Sequence, residues 1–343
     1  MTKTAEQDDE NNGVVRSTKC FVISVQDFPP PDSKQTTAKK PLTDHSSASV
    51  ASSSSSPSVV HVLVIAHPDD ESMFFLPTLT NLIAAGETVW LLCLTTGNYD
   101  GLGDTRKKEL SNVCRYLGIH RLIQVQVERL KDHPTCAWEL DAVTGEIERA
   151  LLAAVKKHSD KNNNNNNPPI QRLVLITFDF FGVSGHINHR DTYLGVRNLY
   201  YQEQKQPQKH DEKTGTTKTD APKEMPLRLP PLDAWQLETV HWLPIKYMPV
   251  AAWIRLLLYL IGLWKPTFTP FPTLPPQNTE NDKQAATTND KHNIQQMAHV
   301  FQSVDCIQSW KAMSTHQSQW VWYRRLFVIF SCYTFVNKLK PIR

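Results

Sequence analysis

The chain has 343 residues, of which 40% are hydrophobic and 21% charged, so it is long and apolar enough to fold around one sizeable core. Lys and Arg number 37 against 34 Asp and Glu, and the resulting net charge of +3 gives no electrostatic reason to expect a nucleic-acid-binding protein. The six cysteines include no C-x-x-C pair, which argues against a zinc finger or a thioredoxin motif.

Polar and proline-rich residues are concentrated in a few blocks, which define the predicted domain organisation. Residues 1–58 contain a run of prolines and a run of serines but little apolar surface to bury, a composition typical of a disordered tail. Residues 59–343 are predicted to form one domain. Three flexible insertions interrupt this domain, at about 160–169, 203–231 and 266–293.

The first elements of this domain alternate between strand and helix patterns. Short apolar runs that are typical of buried parallel strands cover residues 61–66, 88–95, 119–127 and 173–178. Helical spacing of apolar residues covers 76–85, 104–117 and 140–158, and a glycine follows each of the first two helices. Strands that alternate with helices predict an α/β fold with a mostly parallel sheet and helices on both faces.

Two apolar segments in the last third of the chain raise the question of membrane contact. Residues 250–264 include Arg255 and are shorter than the about 20 apolar residues of a bilayer span, so no clear transmembrane helix is predicted. The segment could lie in the membrane plane, re-enter the membrane or form a buried core helix. Residues 319–340 combine aromatic and basic side chains, which fits either an anionic membrane surface or the last core helix.

Two polar clusters follow predicted strands at the points where the strands end. Residues 67–71 (HPDDE) come after the first strand, and residues 184–191 (SGHINHRD) come shortly after the fourth. In open α/β sheets, ligands bind beyond the carboxyl ends of the strands. Three consecutive acids directly after a buried strand are costly unless a positive charge compensates them. The clusters therefore predict a divalent cation at this edge of the sheet.

A catalytic zinc site accounts for both clusters. Two neutral imidazoles and one carboxylate form a zinc ligand set that leaves one coordination position open, and His67, Asp70 and His189 can supply it. Asp69 is then free to act as the general base, and His186 to steady or protonate the reacting oxygen and the leaving group. The alternative is that these are solvated loop residues with one capping aspartate.

Other polar residues lie where they could meet a ligand. Asn98 lies in a glycine-rich loop after the second strand, which either meets a sugar or phosphate or is a plain turn. Asp179 follows the fourth strand and either orients a histidine of the second cluster, as an outer carboxylate, or caps the loop. His316 and Gln319 either contact ligand or only join the last helix to the sheet.

Four segments carry a resemblance to a known family. They are VLVIAHPDDESMFFLPTL, LTTGNYDGLGDTRKKEL, ITFDFFGVSGHINHRDTY and STHQSQWVWYRRLFVIFSCYTFVNKL, and they reach from about residue 60 to about residue 340. The chain resembles the PIG-L/LmbE-like de-N-acetylases, and its last segment is typical of their eukaryotic branch. The resemblance implies a Rossmann-like fold, Zn²⁺ or another divalent metal, and removal of acetate from the glycolipid N-acetylglucosaminyl-phosphatidylinositol in the synthesis of glycosylphosphatidylinositol anchors.

The resemblance also assigns residues and a location. Its metal ligands, general base and second histidine fall on the five residues already assigned from charge and spacing, and it adds Arg106 and Asp132 as substrate-binding residues. The family implies action on the cytoplasmic face of the endoplasmic reticulum, with a membrane surface as partner and no nucleic acid. Many eukaryotic relatives begin with a transmembrane helix, whereas this chain begins with a polar tail, so the mode of attachment is not predicted.

Two alternatives for the function stay open at this point. The same chemistry could act on a soluble conjugate of N-acetylglucosamine, which the polar N-terminus favours. The chain could also be a membrane-docked partner protein without turnover, which the long insertions and the basic, aromatic C-terminal segment favour. The intact ligand set argues against the second alternative.

Overall fold

The computed structural model describes residues 22–29, 58–162, 169–205, 228–263, 298–303 and 305–343. The strands among these residues are β1 (Val22–Asp27), β2 (Ser58–Ile65), β3 (Thr88–Cys93), β4 (Arg121–Gln126), β5 (Ile170–Thr177), β6 (Leu232–Leu237), β7 (His299–Gln302) and β8 (Val336–Pro341). The helices are α1 (Asp70–Phe74), α2 (Leu76–Ala84), α3 (Gly103–Leu117), α4 (Leu140–Asn162), α5 (Gly182–Gly185), α6 (Ile187–Lys205), α7 (Leu243–Tyr247), α8 (Val250–Leu260), α9 (Cys306–Thr315) and α10 (Trp322–Phe330). Short 3₁₀ turns cover Glu128–Leu130, Gln317–Gln319 and Cys332–Thr334.

The strands of the described chain form one sheet in the order β1-β4-β3-β2-β5-β6-β8-β7. Strands β4, β3, β2, β5 and β6 run parallel, while β1, β8 and β7 each pair antiparallel with a neighbour. The chain moves outward from β2 to β4 and then returns to build β5 and β6 on the other side. The carboxyl ends of β2 and β5 therefore adjoin at the point where the strand order reverses, which is where such sheets bind ligands.

Helices cover both faces of this sheet, which confirms the predicted α/β class. Helix α3 packs against α9, whereas α4 packs against α6. Right-handed crossovers put the helices that precede β3 and β4 on one face and α4 and α6 on the other. The α4–α6 contact is close because Gly195 has no side chain, since a Cβ there would lie 2.4 Å from Val143 Cγ1.

The predicted tail contains a strand. Val22–Asp27 pairs antiparallel with β4, and Asp27 binds the guanidinium of Arg121 on that strand. Phe28, directly after the strand, is buried in the core. The prediction of disorder was wrong for this segment, because six residues need only a free sheet edge to pair as a strand, and the long polar sequence on both sides obscured them. The rest of 1–57 lies outside the described residues.

Two of the predicted insertions begin later than expected. Helix α4 continues to Asn162 and α6 to Lys205, so the helices extend into the ranges 160–169 and 203–231. Residues 163–168 and 206–227 lie outside the described residues, and so does the third predicted insertion at 266–293.

The first apolar segment is not a buried core helix. Helix α8 has one buried side chain, Ala252, while Ile254, Leu257 and Leu260 are 52%, 57% and 70% exposed. By length and composition, Leu243–Leu260 is the stretch of the described chain that could cross a membrane. The backbone leaves helical geometry at Met248 and Pro249, between α7 and α8.

The second apolar segment has the same character. Helix α10 buries only Val328, and its aromatic and aliphatic side chains Trp322, Tyr323, Leu326, Ile329 and Phe330 are exposed. It is therefore not the last core helix that one of our two interpretations predicted. The chain returns to the core only afterwards, where Tyr333, Phe335 and Leu339 are buried.

Asn337 attaches the C-terminal strand β8 to the start of α2. Its Oδ1 accepts hydrogen bonds from Thr78 N (3.1 Å) and Thr78 Oγ1 (2.8 Å), and its Nδ2 donates to the Phe74 carbonyl (2.8 Å). Asn337 and Thr78 are both fully buried, so water cannot replace these bonds.

We expect Asn337→Ala to lower the free energy of unfolding by about 3 kcal/mol, because each buried polar group left without a partner costs about 1–3 kcal/mol. Urea denaturation measures the change. Asn112→Ala is the matched control, because Asn112 is exposed and its bond with Arg115 lies at the surface, where substitutions stay within about 0.5 kcal/mol. Equal effects of the two variants would contradict the role given to Asn337.

Candidate active site

The first polar cluster folds tightly around the start of α1. Strand β2 ends fully buried at Ile65, so the next residues emerge at the carboxyl edge of the sheet. The backbone N–H of His67 donates to Asp70 Oδ2 (2.8 Å), and that of Asp69 donates to Glu71 Oε2 (3.0 Å). Asp69 is held at φ 115°, a conformation that residues other than glycine rarely adopt. Backbone strain of this kind is concentrated at functional sites.

The second cluster forms around the start of α6 and is strained in the same way. Gly182 and Val183 have φ of 62° and 60°, and a β-branched residue is an outlier there. The turn is held from outside, because Thr239 Oγ1 accepts from Val183 N (3.0 Å) and Lys246 Nζ donates to the Val183 carbonyl (2.5 Å). The turn places the Gly182 carbonyl 3.0 Å from His189 Nδ1.

The orientation of His189 suits a metal ligand. A carbonyl can only accept a hydrogen bond, so Nδ1 carries the proton and the lone pair of Nε2 faces the cluster. Phe178 stacks on the ring with centroids 4.2 Å apart and the two planes within 2°, which fixes the ring further. A Cβ at Gly182 would lie 2.8 Å from His189 Cβ, so this approach requires glycine.

The two clusters meet at one point. Asp70 Oδ1 lies 3.1 Å from His189 Nε2, and Asp70 Oδ2 lies 3.6 Å from His67 Nδ1. The ring of His186 is 4.7 Å from that of His67 and 5.1 Å from that of His189, centroid to centroid. One ring nitrogen of each of the three histidines lies within 4.8 Å of the others. The structure thus brings together the three residues predicted as metal ligands and adds His186 as a further candidate donor.

The charge of the pocket fits a divalent cation. Burial by itself lowers the pKa of the His67 ring, but hydrogen bonds to Asp132 and Asp70 outweigh burial and raise this pKa to about 10. Burial would raise the pKa of Asp70, yet the neighbouring rings of His189 and His67 hold it well below its usual range. The pocket therefore keeps an ionised carboxylate between two imidazoles and attracts positive charge, which a metal ion could supply.

Asp69 lies beside the proposed ligands and is placed to handle a proton. Arg324 Nη1 lies 2.5 Å from Asp69 Oδ2, and Arg106 Nη2 lies 3.5 Å from Asp69 Oδ1. Burial raises the pKa of Asp69 above its usual value, although both guanidiniums act to lower it. A carboxylate with a raised pKa is a stronger base than an exposed one, which suits the predicted general base.

His186 differs from the other two histidines because it is half-buried and opens toward solvent. Burial, together with the neighbouring charges of His67 and His189, lowers its pKa to about 4. Its Nδ1 accepts a hydrogen bond from Asn188 N (3.2 Å), so in the neutral ring Nε2 carries the proton. His186 is thus a neutral hydrogen-bond donor at physiological pH.

Arg106 is buried rather than open to a ligand. Its Nη2 donates to the Pro68 carbonyl (2.7 Å) and its Nη1 to the Gly97 carbonyl (2.9 Å), so it braces two loops of the site. A Cβ at Gly97 would lie 2.4 Å from Arg106 Cζ, which explains the glycine. Its predicted contact with substrate stays a prediction.

Asn98 and Asp132 are placed differently from each other. Asn98 is exposed, and its Oδ1 accepts a hydrogen bond from Gly103 N (2.8 Å) at the start of α3. This contact fits the plain turn, which was one of the two alternatives for the loop. Asp132 reaches the cluster, with Oδ1 3.1 Å from His67 Nε2 and Oδ2 3.4 Å from Tyr99 N. Of the two residues, Asp132 is the better placed for a sugar bound beside the ligands, and its role stays a prediction.

Asp179 caps the loop instead of touching a catalytic ring. Its Oδ1 accepts from Phe181 N (3.0 Å), Gly182 N (3.1 Å) and Thr239 Oγ1 (2.5 Å), and its Oδ2 accepts from Thr239 N (2.7 Å). It acts on His189 at one remove, through the turn whose Gly182 carbonyl holds the ring. This is the capping alternative, so the direct contact with a histidine that we also considered is not what the structure has.

The C-terminal segment contributes residues to the site that the sequence did not reveal. His316 Nε2 lies 2.6 Å from Glu71 Oε1, and both side chains are fully buried. The carboxylate of Glu109 on α3 accepts hydrogen bonds from Ser318 N (2.8 Å) and from Ser318 Oγ (2.6 Å). Arg324 reaches Asp69. The sequence indicated only that His316 and Gln319 either contact ligand or join the last helix to the sheet, and it gave no partner for any of these side chains.

We expect His316→Leu to lower the free energy of unfolding by about 3–5 kcal/mol, because it leaves the buried Glu71 carboxylate without its counter-charge. The double variant Glu71→Gln/His316→Leu should recover at least about 1 kcal/mol of that loss, since no unpaired charge remains. Urea denaturation of the wild type, both single variants and the double variant forms the cycle. Additive losses would show that the two residues are not coupled.

This chain is similar to one described family and to several proteins of known name. A family model described as "PIG-L: GlcNAc-PI de-N-acetylase" matches residues 62–200. The N-acetylglucosaminyl-phosphatidylinositol de-N-acetylase of Saccharomyces cerevisiae is 32% identical over 282 residues, which cover 80% of this chain and 79% of the yeast protein. The probable enzyme of the same name from Dictyostelium discoideum is 28% identical, with 82% and 93% covered. The Bos taurus protein is 29% identical, with 81% of each chain covered.

Proposed function

The chain belongs to the PIG-L family of de-N-acetylases, and from this premise we propose that it hydrolyses the N-acetyl group of N-acetylglucosaminyl-phosphatidylinositol to give glucosaminyl-phosphatidylinositol. The observation that carries the proposal is that the imidazoles of His67 and His189 meet at the carboxylate of Asp70, with the acid Asp69 beside them. The reaction would serve the synthesis of glycosylphosphatidylinositol anchors. The location expected from the resemblance, the cytoplasmic face of the endoplasmic reticulum, belongs to the same proposal.

His67, Asp70 and His189 would hold the metal, which we propose to be Zn²⁺ or another divalent ion. These residues fit a cation because Asp70 Oδ2 and Oδ1 lie 3.6 Å from His67 Nδ1 and 3.1 Å from His189 Nε2, and because the carboxylate is ionised. A bound zinc ion would supply Lewis acidity toward the acetyl carbonyl and toward water. His186 also lies close enough to bind the ion, but the proposal leaves it outside this set because it is less buried than the other two histidines and has a neutral ring that can donate a hydrogen bond.

The chain's own residues would then move the protons. Asp69 accepts a proton from the water that attacks the acetyl carbonyl, and the same carboxyl is the nearest source of the proton that the departing amine requires. His186 donates its Nε2–H to the carbonyl oxygen as negative charge develops there. This role needs only the neutral ring, whereas a full proton donation by His186 would need the charged form that its lowered pKa makes scarce.

We expect Asp69→Asn to lower kcat for acetate release at least about 100-fold while the metal content per chain stays unchanged, because the variant removes only the base. His189→Ala should lose both activity and metal. His241→Ala is the matched control, since His241 is exposed and lies outside the cluster. The metal content, by elemental analysis, and the rate of acetate release from the lipid-free headgroup are measured on the same samples. Full activity of Asp69→Asn with metal bound would refute the proposed mechanism.

The two adjacent arginines of α10 provide a second test of the site. Arg324 points inward to Asp69, whereas Arg325 is exposed and lies over the ring of Trp320. We expect Arg324→Ala to lower kcat on the lipid-free headgroup at least about tenfold, because Asp69 loses a partner that holds its carboxylate in place. Arg325→Ala should leave kcat on that substrate within about twofold. Equal effects would mean that Arg324 acts only through the stability of the helix.

The alternative substrate, a soluble conjugate of N-acetylglucosamine, is decided by the same assay. Wild-type kcat/KM for the vesicle-embedded glycolipid is compared with that for its lipid-free headgroup. A higher value for the glycolipid supports the proposed substrate, and equal values would favour the soluble one. No acetate from either substrate, with metal content confirmed, would favour the partner protein without turnover.

A further inference from the structure

Helices α7 and α8 and the outward side of α10 form one exposed apolar surface, which we call the apolar platform. On α8, Leu257 and Leu260 are exposed, and on α10 Trp322 and Leu326 are exposed. The helices touch through aromatic pairs, with ring centroids of Trp253 and Phe330 5.9 Å apart and those of Tyr247 and Phe327 6.4 Å apart. Apolar surface of this extent is unusual in a soluble protein that has no partner for it.

The platform adjoins the candidate active site. Lys246 of α7 holds the strained turn at Val183 that precedes the two histidines of the second cluster. Arg324 of α10 reaches Asp69, and Phe327 of the same helix packs on Phe74, with ring centroids 5.5 Å apart. A flat partner that covers the platform therefore lies directly beside the opening where His186 is half-exposed.

The composition of the platform favours a lipid surface as that partner. Residues 243–263 and 316–335 contain no Asp or Glu, and Arg255 is exposed on α8. Exposed Trp242, Tyr259 and Tyr323 add the amphipathic rings that favour the headgroup region of a membrane. Basic and aromatic residues without acids are complementary to anionic phospholipids, whereas a second copy of the same basic surface would repel it.

The lengths of these helices and the break between α7 and α8 favour an orientation along such a surface over one across it. Helix α8 has 11 residues and is therefore about 16 Å long at roughly 1.5 Å per residue, about half of a bilayer core of ~30 Å. The backbone leaves helical geometry at Met248–Pro249, so α7 does not extend α8 into a longer span.

We propose that the apolar platform docks in the plane of a phospholipid bilayer and holds the active site against the membrane, where a glycolipid headgroup can enter it. The reaction at the docked site rests on the proposed function, but the binding of the platform to lipid does not. The two proposals can therefore fail separately.

Vesicle flotation of the full chain without substrate tests the docking. We expect wild type to float with phosphatidylcholine vesicles that contain about one-third phosphatidylserine, and the bound fraction to fall at least about tenfold in Leu257→Glu/Leu260→Glu. Val22→Glu is the matched control, because Val22 is an exposed apolar residue far from the platform. It lies on β1, and four strands lie between β1 and β6, the strand that precedes α7 and α8 in the chain. Failure of wild type to float, or an equal loss in the control, would overturn the proposal.

Two further measurements distinguish docking on lipid from the other possible uses of the platform. Arg255→Gln should weaken binding to anionic vesicles about fivefold and leave binding to pure phosphatidylcholine vesicles unchanged. In Leu257→Glu/Leu260→Glu, the ratio of kcat/KM for vesicle-embedded glycolipid to that for the lipid-free headgroup should fall about tenfold. An unchanged ratio would overturn the proposal even if the chain is a deacetylase. Conversion of a dimer to a monomer by the double variant, with vesicle binding kept, would assign the surface to a second copy instead.

Discussion

Three consecutive buried acids set the constraint on which the rest of this structure depends. Asp69, Asp70 and Glu71 follow a buried strand and are 3%, 3% and 0% exposed, in a place where unpaired charge is prohibitively costly. Each acid faces a different source of positive charge or hydrogen bonds. Asp70 lies between His67 and His189, Glu71 is paired with His316, and Asp69 lies between two guanidiniums. One sequence cluster is thus divided among three environments. In the function that we propose, this division lets Asp70 hold a metal and Asp69 accept a proton, while Glu71 stabilises the structure.

These compensating groups come from distant parts of the chain, so the site and the fold stabilise each other. His189 lies in the first turn of α6, and Arg106 lies on α3. His316 and Arg324 lie in the C-terminal segment, about 250 positions after the acids. None of these contacts can form until the parallel strands are paired, since only the sheet brings their ends together. A variant that removes one cation consequently tests stability and activity at once, and the two must be measured on the same sample.

The sequence predicted the elements with local signals and missed those that depend on partners. Buried strands, amphipathic helices and the two clusters at strand ends carry their information in short windows, and their positions agree with the structure to within a few residues. Strand β1 was missed because six residues inside a polar stretch form a strand only by pairing with the edge that β4 offers. Arg324 and the partner of His316 were missed because an ion pair across 245 positions leaves no trace in a single sequence. Asp179 shows the same limit, because its position after a strand fitted two roles and only the turn at Gly182 distinguished them.

The two sides of helix α10 have different surroundings, which explains why one helix combines arginines with exposed apolar side chains. Its inward side needs Arg324 beside Asp69 and Phe327 against Phe74, while its outward side exposes Trp322, Leu326 and Ile329. A helix selected only to cover a core would bury those apolar side chains, and a helix selected only for solubility would replace them. Because the same nine-residue helix meets the proposed general base on one side and the proposed lipid surface on the other, any shift of the helix on docking also moves the guanidinium beside Asp69. If both proposals hold, one short helix joins membrane contact to proton transfer, and we expect occupancy of the platform to alter kcat and not KM alone.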